Sequence, residues 1–210
     1  MAQHERRIAG LGELWRLVRE DLKTNGTIFE PGFQALAVHR FGVWKQALPK
    51  VLRLPFTLVY RLLNVFVRNV YGIELYLSTR IGRRLVLGHQ HGIIIHPNAV
   101  IGDDCMIRQG VTLGQNAPLP GVWVGDIPAP RLGNRVEVGA GAVLMGGIAI
   151  GDGVRIGPNA VVMTNVSAGA IVTAPMSRIM LPPKRKPKPA PEATAEAEAI
   201  AETPAESPEA

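Results

Sequence analysis

The 210-residue sequence predicts a mainly β fold, a prism-like coil of short strands with an α-helical segment in front of it. Two observations carry that prediction. Between residues 76 and 180 an aliphatic residue followed by a small or polar one recurs every six positions, whereas residues 1–75 look helical, with Arg61, Asn64 and Arg68 at helical spacing. Residues 181–210 form a third regime, rich in Pro, Ala, Glu and Lys. With almost no large apolar residue they cannot offset their ordering entropy, and a disordered tail is expected there.

In the helical segment the most apolar stretch is 51–73, interrupted by Arg53, Arg61 and Arg68 and by Asn64 and Asn69. Spanning a bilayer would bury those guanidinium groups at roughly 2.5–3.5 kcal/mol each near its centre, so a membrane span is not expected. Leu58, Leu62, Val65 and Phe66 occupy the face opposite the basic one. The helix is expected to pack on the rest of the protein or at a subunit contact; the alternative is a peripheral helix on an anionic leaflet. The first residues, MAQHERRIAGLGELW, contain no uninterrupted apolar run after their charges, and a cytoplasmic location is expected.

Hexads begin at Ile81, Leu87, Ile95, Ile101 and Ile107 and, after an interruption, at Leu132, Val138, Leu144, Ile150, Ile156 and Val162. Their fifth position is small or apolar, as at Ala99, Cys105, Val111, Val136 and Ala142, and positions two to four are rich in Gly, Asp and Asn, which turn corners. The first residue therefore points inward, the fifth is squeezed near a corner, and successive coils bury one another. The helical segment is expected to cap one open end. Cys105, at a fifth position, reads as a packed, inert thiol. A single cysteine excludes a disulfide-built scaffold and a cysteine zinc cluster. The chain carries 23 Lys and Arg against 17 Asp and Glu, a net +6; without residues 181–210 the balance is 19 against 11, or +8. Such a body suits phosphorylated small molecules, anionic membrane surfaces or nucleic acid, and no motif supports the last.

The hexads IGDDCMI, IGDGVRI and IGPNAVV resemble the hexapeptide-repeat acyltransferases, and the resemblance to the serine acetyltransferase family extends beyond them. PGFQALAVHRFGVW at 31–44 is similar to that family's helical segment. LGHQHGIIIHPNAVIGDD, GVTLG at 110–114 and VGAGAVLMGGIAIGDGVRIGPNAVV at 138–162 are similar to its active-site and coenzyme stretches. The match covers roughly residues 18–180, and its short helical portion resembles the compact members found with surface-polysaccharide genes. The resemblance implies a left-handed parallel β-helix with three hexads per coil, acetyl-CoA as acetyl donor, no metal, and a homotrimer. It places pantetheine in the groove near Gly114, Ala140, Gly141 and Gly147, with Arg178, Lys184 and Arg185 meeting the coenzyme's phosphates. The alternatives are glycine and alanine as tight corners and a solvated basic run.

Moving an acetyl group from a thioester to an alcohol needs a base, oxyanion donors and a groove for the carrier. Histidine, with an ordinary pKa of about 6.5, suits the first need. His89, His91 and His96 lie within eight residues, and the hexad register slips by two between Leu87 and Ile95, so the coil must bulge or reset there. The resemblance places His89 on the catalytic position, with His91 as second candidate and acceptor contact. His96, before Pro97 at a turn, reads as a surface or subunit-contact histidine. Glu74 takes the place of an aspartate that orients the imidazole, a solvated glutamate being the alternative, and Asp21 matches a helical-domain aspartate that approaches the acceptor. The loop 115–131 stands where the family's flexible loop covers its site; its Trp123 either stacks on a sugar ring or anchors the loop.

Two departures bear on the acceptor. Gly88 replaces an aspartate that helps hold an amino-acid acceptor, and Pro128-Ala129-Pro130-Arg131 replaces the family's Arg-His-Pro-Lys. A zwitterion such as serine needs complementary charges that a neutral sugar hydroxyl does not. A sugar hydroxyl in surface-polysaccharide biosynthesis is therefore the expected acceptor, with serine second. Two other readings are a zinc enzyme like the γ-type carbonic anhydrases, for which no histidine after His96 supplies a third ligand, and a non-catalytic β-helix scaffold. The chain ends Ser-Pro-Glu-Ala rather than in isoleucine, so docking on the partner enzyme of cysteine synthesis is not expected.

Overall fold

Leu14, Leu17 and Asp21, three and four residues apart, share the buried side of the first helix, α1 (Leu11–Asn25). The computed structural model describes residues 8–115 and 128–175. Pro31, whose fixed φ suits a first helical position, opens α2 (Pro31–Lys45), which is buried around much of its circumference. A Cβ on Gly42 would run into the Tyr60 ring, so only glycine allows α2 to lie this close to α3 (Lys50–Tyr71). Gly72 ends α3 in the left-handed region, its N–H donating to the Arg68 carbonyl at 3.1 Å.

Among the described residues fourteen short strands follow, numbered in chain order, all parallel and arranged as three sheets around one core. The first sheet runs β1 (Ile73–Leu75), β4 (Ile93–Ile95), β7 (Thr112–Gly114), β10 (Val143–Met145), β13 (Val161–Val162). The second runs β2 (Arg80–Ile81), β5 (Val100–Ile101), β8 (Arg131–Leu132), β11 (Ala149–Ile150). The third runs β3 (Val86–Gly88), β6 (Met106–Arg108), β9 (Glu137–Val138), β12 (Arg155–Ile156), β14 (Ile171–Val172). The result is the parallel β-helix of hexapeptide repeats expected from the sequence. First-position residues stack on one another: Leu87 under Ile107 under Val138 under Ile156, and Ile95 under Leu113 under Leu144 under Val162. All are buried, as are the fifth-position residues Ala99, Cys105, Val111, Val136 and Ala142. The Cys105 thiol donates to the Gly133 carbonyl at 3.2 Å, and burial pushes it up to about 11, which fits a packed, unreactive sulfur.

A buried ion pair clamps the helices to the coils. Arg40 Nε donates to Asp21 Oδ2 at 3.0 Å, and the same guanidinium donates to the carbonyls of Ile81 at 2.9 Å and Gly82 at 2.5 Å. Burial pushes the Asp21 carboxyl up against the opposing pull of Arg40. Asn25 adds a second link: its amide donates to the Leu85 carbonyl and its Oδ1 accepts from the Leu87 N–H. The expected acceptor contact of Asp21 is thereby corrected. Its carboxylate is fully buried and serves the interface between α1, α2 and β2.

Helix α3 packs on α2 as expected, but its apolar side faces away from the chain: Leu58, Leu62, Val65 and Phe66 are 63%, 65%, 47% and 48% exposed.

Arg40→Ala leaves a buried, uncompensated carboxylate, so a loss of about 3–5 kcal/mol of stability is expected from urea denaturation. His39 on α2 is buried, and desolvation, aided by the Arg40 charge and opposed by the backbone groups of Tyr76 and Thr79, lowers it from 6.5 to about 3. Below pH about 6.5 the unfolded chain binds a proton that the folded chain refuses until about pH 3, so stability falls as pH falls through that window. Between pH 7 and pH 5 the wild type should lose about 2 kcal/mol more than a His39→Leu variant, measured as the difference in their urea midpoints.

Candidate active site

The corner between β3 and β4 breaks the six-residue rhythm. Leu87 lies under Ile107, twenty residues on, whereas Ile95 lies under Leu113, eighteen on. The regular corner residues on this edge, Gly92, Gly110, Gly141 and Asn159, stack with φ of +72°, +72°, +70° and +56°. On one side of the irregularity Gly88 pairs with Arg108; on the other, the Gly110 N–H donates to the His91 carbonyl. Between them His89 and Gln90 have no counterpart in the next coil. They are the two extra residues, and they bulge outward because the close-packed interior cannot hold them.

The bulge is strained. His89 has φ +65° and His91 φ +74°, left-handed conformations that cost a side-chain-bearing residue roughly 1–2 kcal/mol each. Both side chains are exposed and line a cleft of about 420 Å³ with Gln90, Leu87, Glu30 and the first residues of α2, Pro31 and Gly32. A Cβ on Gly32 would collide with the Leu87 carbonyl, so glycine permits α2 to close this side of the cleft. The His91 N–H donates to the Tyr71 carbonyl at 2.7 Å, which anchors the bulge to the end of α3.

The sequence-derived candidates fall into several groups. His89 and His91 share the cleft. Glu74 lies on β1, where its carboxylate accepts from the Tyr76 hydroxyl at 2.6 Å and makes no hydrogen bond to His89; that bond pushes the Tyr76 phenol up. His96 is buried rather than at the surface: its Nε2 bonds the Gln115 side chain at 2.7 Å and its Nδ1 accepts from the Asn98 N–H at 3.1 Å. Ala140 and Gly141 stand on the same corner edge as His91 and Gly92, two coils above. Gly114 lies at the opposite end of that sheet, where it pairs with Met145 and its carbonyl accepts from the Gly146 N–H, while Gly147 lies against Pro128. Trp123, Arg178, Lys184 and Arg185 lie outside the described residues.

Sequence reading missed Glu30 to Gly32 as a wall of the cleft, and it missed Arg108. Register places Arg108 beside Gly88, with its Cγ 3.7 Å from where a Gly88 Cβ would stand. Its guanidinium is exposed and has no hydrogen-bond or ion-pair partner among the described residues. The signal was available only after counting the enlarged coil as twenty residues.

Chemically, an exposed imidazole held by a strained corner at the edge of a cleft can accept the proton of a hydroxyl whose oxygen attacks a thioester carbonyl. It can then return that proton to the departing sulfur.

Comparison with known proteins points the same way. The family described as bacterial transferase hexapeptide (six repeats) matches residues 129–163. A serine acetyltransferase of Synechococcus elongatus is 38% identical over 152 residues, 71% of this chain but 57% of its own, so the chain spans little more than half its length. A serine acetyltransferase of Helicobacter pylori is 38% identical over 75% of this chain and 88% of its own. The putative colanic acid biosynthesis acetyltransferase WcaB of Escherichia coli K12 is 32% identical over 76% of this chain and 96% of its own. Among solved structures, soybean serine acetyltransferase, 26% identical, aligns with a TM-score of 0.63 over 80% of this chain and 69% of that one.

Removing the Cβ at position 89 should relieve the corner. A His89→Gly variant is expected to be more stable than His89→Ala by about 1 kcal/mol, read from their denaturation midpoints; equal midpoints would mean that the bulge relaxes without strain.

Proposed function

We propose, from the premise that the chain belongs to the serine acetyltransferase family of hexapeptide-repeat transferases, that it is an acetyl-CoA-dependent O-acetyltransferase with His89 as the base. The observation that carries this is the two-residue bulge. It sets an exposed histidine on two residues that the regular coils lack, at the edge of a cleft. By its place on the corner edge, His91 is the second contact for the acceptor. The small residues Ala140, Gly141, Gly114 and Gly147 support a thin pantetheine chain lying close to the backbone.

The acceptor we favour is a sugar hydroxyl of surface-polysaccharide biosynthesis. The ammonium group of serine would approach Gly88, where no carboxylate stands, and would face the exposed Arg108 cation instead. The serine carboxylate finds no family arginine, because Pro128 stands at that position. Similarity to WcaB over nearly its whole length supports the saccharide reading. Serine remains the second reading on the strength of the H. pylori relative.

A homotrimer fits the outer surface of the first sheet. On β4, β7, β10 and β13 its outward residues Ile94, Thr112, Val143 and Val161 stand in register without a charge, with Glu74 of β1 beside Ile94 at the edge, and Ile94 and Val161 are 44% and 66% exposed. The third sheet carries Arg108, Glu137 and Arg155 at its outward positions. An uncharged column of this kind suits contact with a second copy.

Thiol release from acetyl-CoA tests the assignment. Release is expected with saccharide precursors of the host and not with L-serine, and His89→Ala should lower it by about 10²- to 10⁴-fold. Serine-dependent release lost in the variant would restore the cysteine-pathway reading. Release unchanged by His89→Ala would remove His89 as the base.

A further inference from the structure

The side of α3 that packs on the protein is its more polar side. Arg53, Thr57, Tyr60, Asn64, Val67 and Tyr71, spaced three or four apart, are the residues withdrawn from solvent, and only Val67 is fully buried. The opposite side is aliphatic and aromatic along a 22-residue helix, about 33 Å in length. Val51 is 86% exposed, Leu54 76%, Leu58 63% and Leu62 65%. Lys50, Arg61 and Arg68 follow one another at spacings of eleven and seven residues, close to three and two full turns, so they form a line along one edge of the apolar face. The helix contains no Asp or Glu. The ion pairs among the described residues involve none of these three cations.

We propose that this face of α3 lies on an anionic bilayer surface, its apolar side chains in the headgroup–acyl boundary and its line of cations against lipid phosphates. A wide apolar stripe flanked by Lys and Arg, on a helix otherwise supported by protein, is the arrangement of an interfacial helix. Among the described residues no helix is long and apolar enough to cross a membrane, so the helix lies on the surface rather than through it. A contact between two copies of α3 would juxtapose two cationic helices with no acidic residue to oppose them. An anionic leaflet supplies the missing countercharge, and the excess of basic residues in positions 1–180 adds to the attraction.

Flotation of the full-length protein with vesicles of phosphatidylethanolamine and phosphatidylglycerol, against vesicles of phosphatidylcholine alone, tests it. The protein should float with the anionic vesicles and not with the neutral ones at about 0.1 M salt, and less as salt rises. Arg61→Gln and Arg68→Gln should each weaken binding about fivefold. Leu58→Glu with Leu62→Glu should abolish it at every salt concentration, while thermal melting and thiol release stay at wild-type level because these side chains touch neither core nor cleft. Two results overturn the proposal. One is a folded wild-type protein that stays with the soluble fraction. The other is an oligomer, measured by sedimentation equilibrium, that the double glutamate variant splits and that never floats; this would assign the face to a second copy.

Discussion

Every feature of the β-helix depends on one constraint: each coil must close in phase with the coil beneath it. Inward residues repeat every six positions because three sides of a prism must each present one aliphatic residue to the same interior. The stacked first-position residues Leu87, Ile107, Val138 and Ile156 leave that interior no spare volume. Insertions can therefore only leave the prism outward. Among the described residues the pair His89–Gln90 at one corner is such an insertion, and in the sequence Leu113 and its partner Leu144 are thirty-one residues apart. Chemistry in such a fold collects where the phase is broken, because only there do side chains project with freedom to be arranged.

The helices serve the same constraint at the open end of the coil. A parallel stack ends in unpaired backbone groups and exposed aliphatic residues, and α1 and α2 cover them. Arg40 reaches past Asp21 to the carbonyls of Ile81 and Gly82, so a guanidinium satisfies acceptors of the first turns that no further coil would reach. Asn25 does the same for Leu85 and Leu87 with a neutral side chain. By holding β3 from below, these contacts also fix the strand from which the His89 bulge departs. The cap thereby contributes to the geometry of the cleft as well as to stability, with Gly32 bringing α2 against Leu87 as its wall.

How much of this was legible in the sequence follows from which residues report on local rules and which on contacts between distant segments. The hexad starts and the squeezed fifth positions were legible, since each repeats a single local requirement. The two-residue slip was legible as well, and it brought attention to the histidines. Asp21 misled because a carboxylate in a helix looks the same whether it faces a ligand or an arginine nineteen residues away. His96 misled for a related reason: its partners Asn98 and Gln115 meet it only once the coil has turned. Arg108 stayed hidden because its nearness to Gly88 depends on an enlarged coil whose length no short motif announces.

The packing of α3 shows the same division from the other side. Its amphipathic pattern was plain in the sequence, but a pattern gives two faces and not their orientation. Ordinary helices turn the apolar face inward. Here the first strands leave only a shallow seat, lined by the α2 surface near Gly42 and by β1, and Tyr60, Asn64 and Val67 fill it. Tyr60 can do so because its ring passes over Gly42 and its face meets the Lys45 ammonium, 5.1 Å from the ring centre, which gives an apolar body and a polar partner in one contact. Leucine at position 60 would fill the seat but leave Lys45 without that partner, and a helix seated on its Leu58–Leu62 side would carry Arg61 toward the core. The sequence thus satisfies the inner contact with its polar and aromatic residues, and the aliphatic stripe is left facing outward, where burial must come from something other than the chain itself.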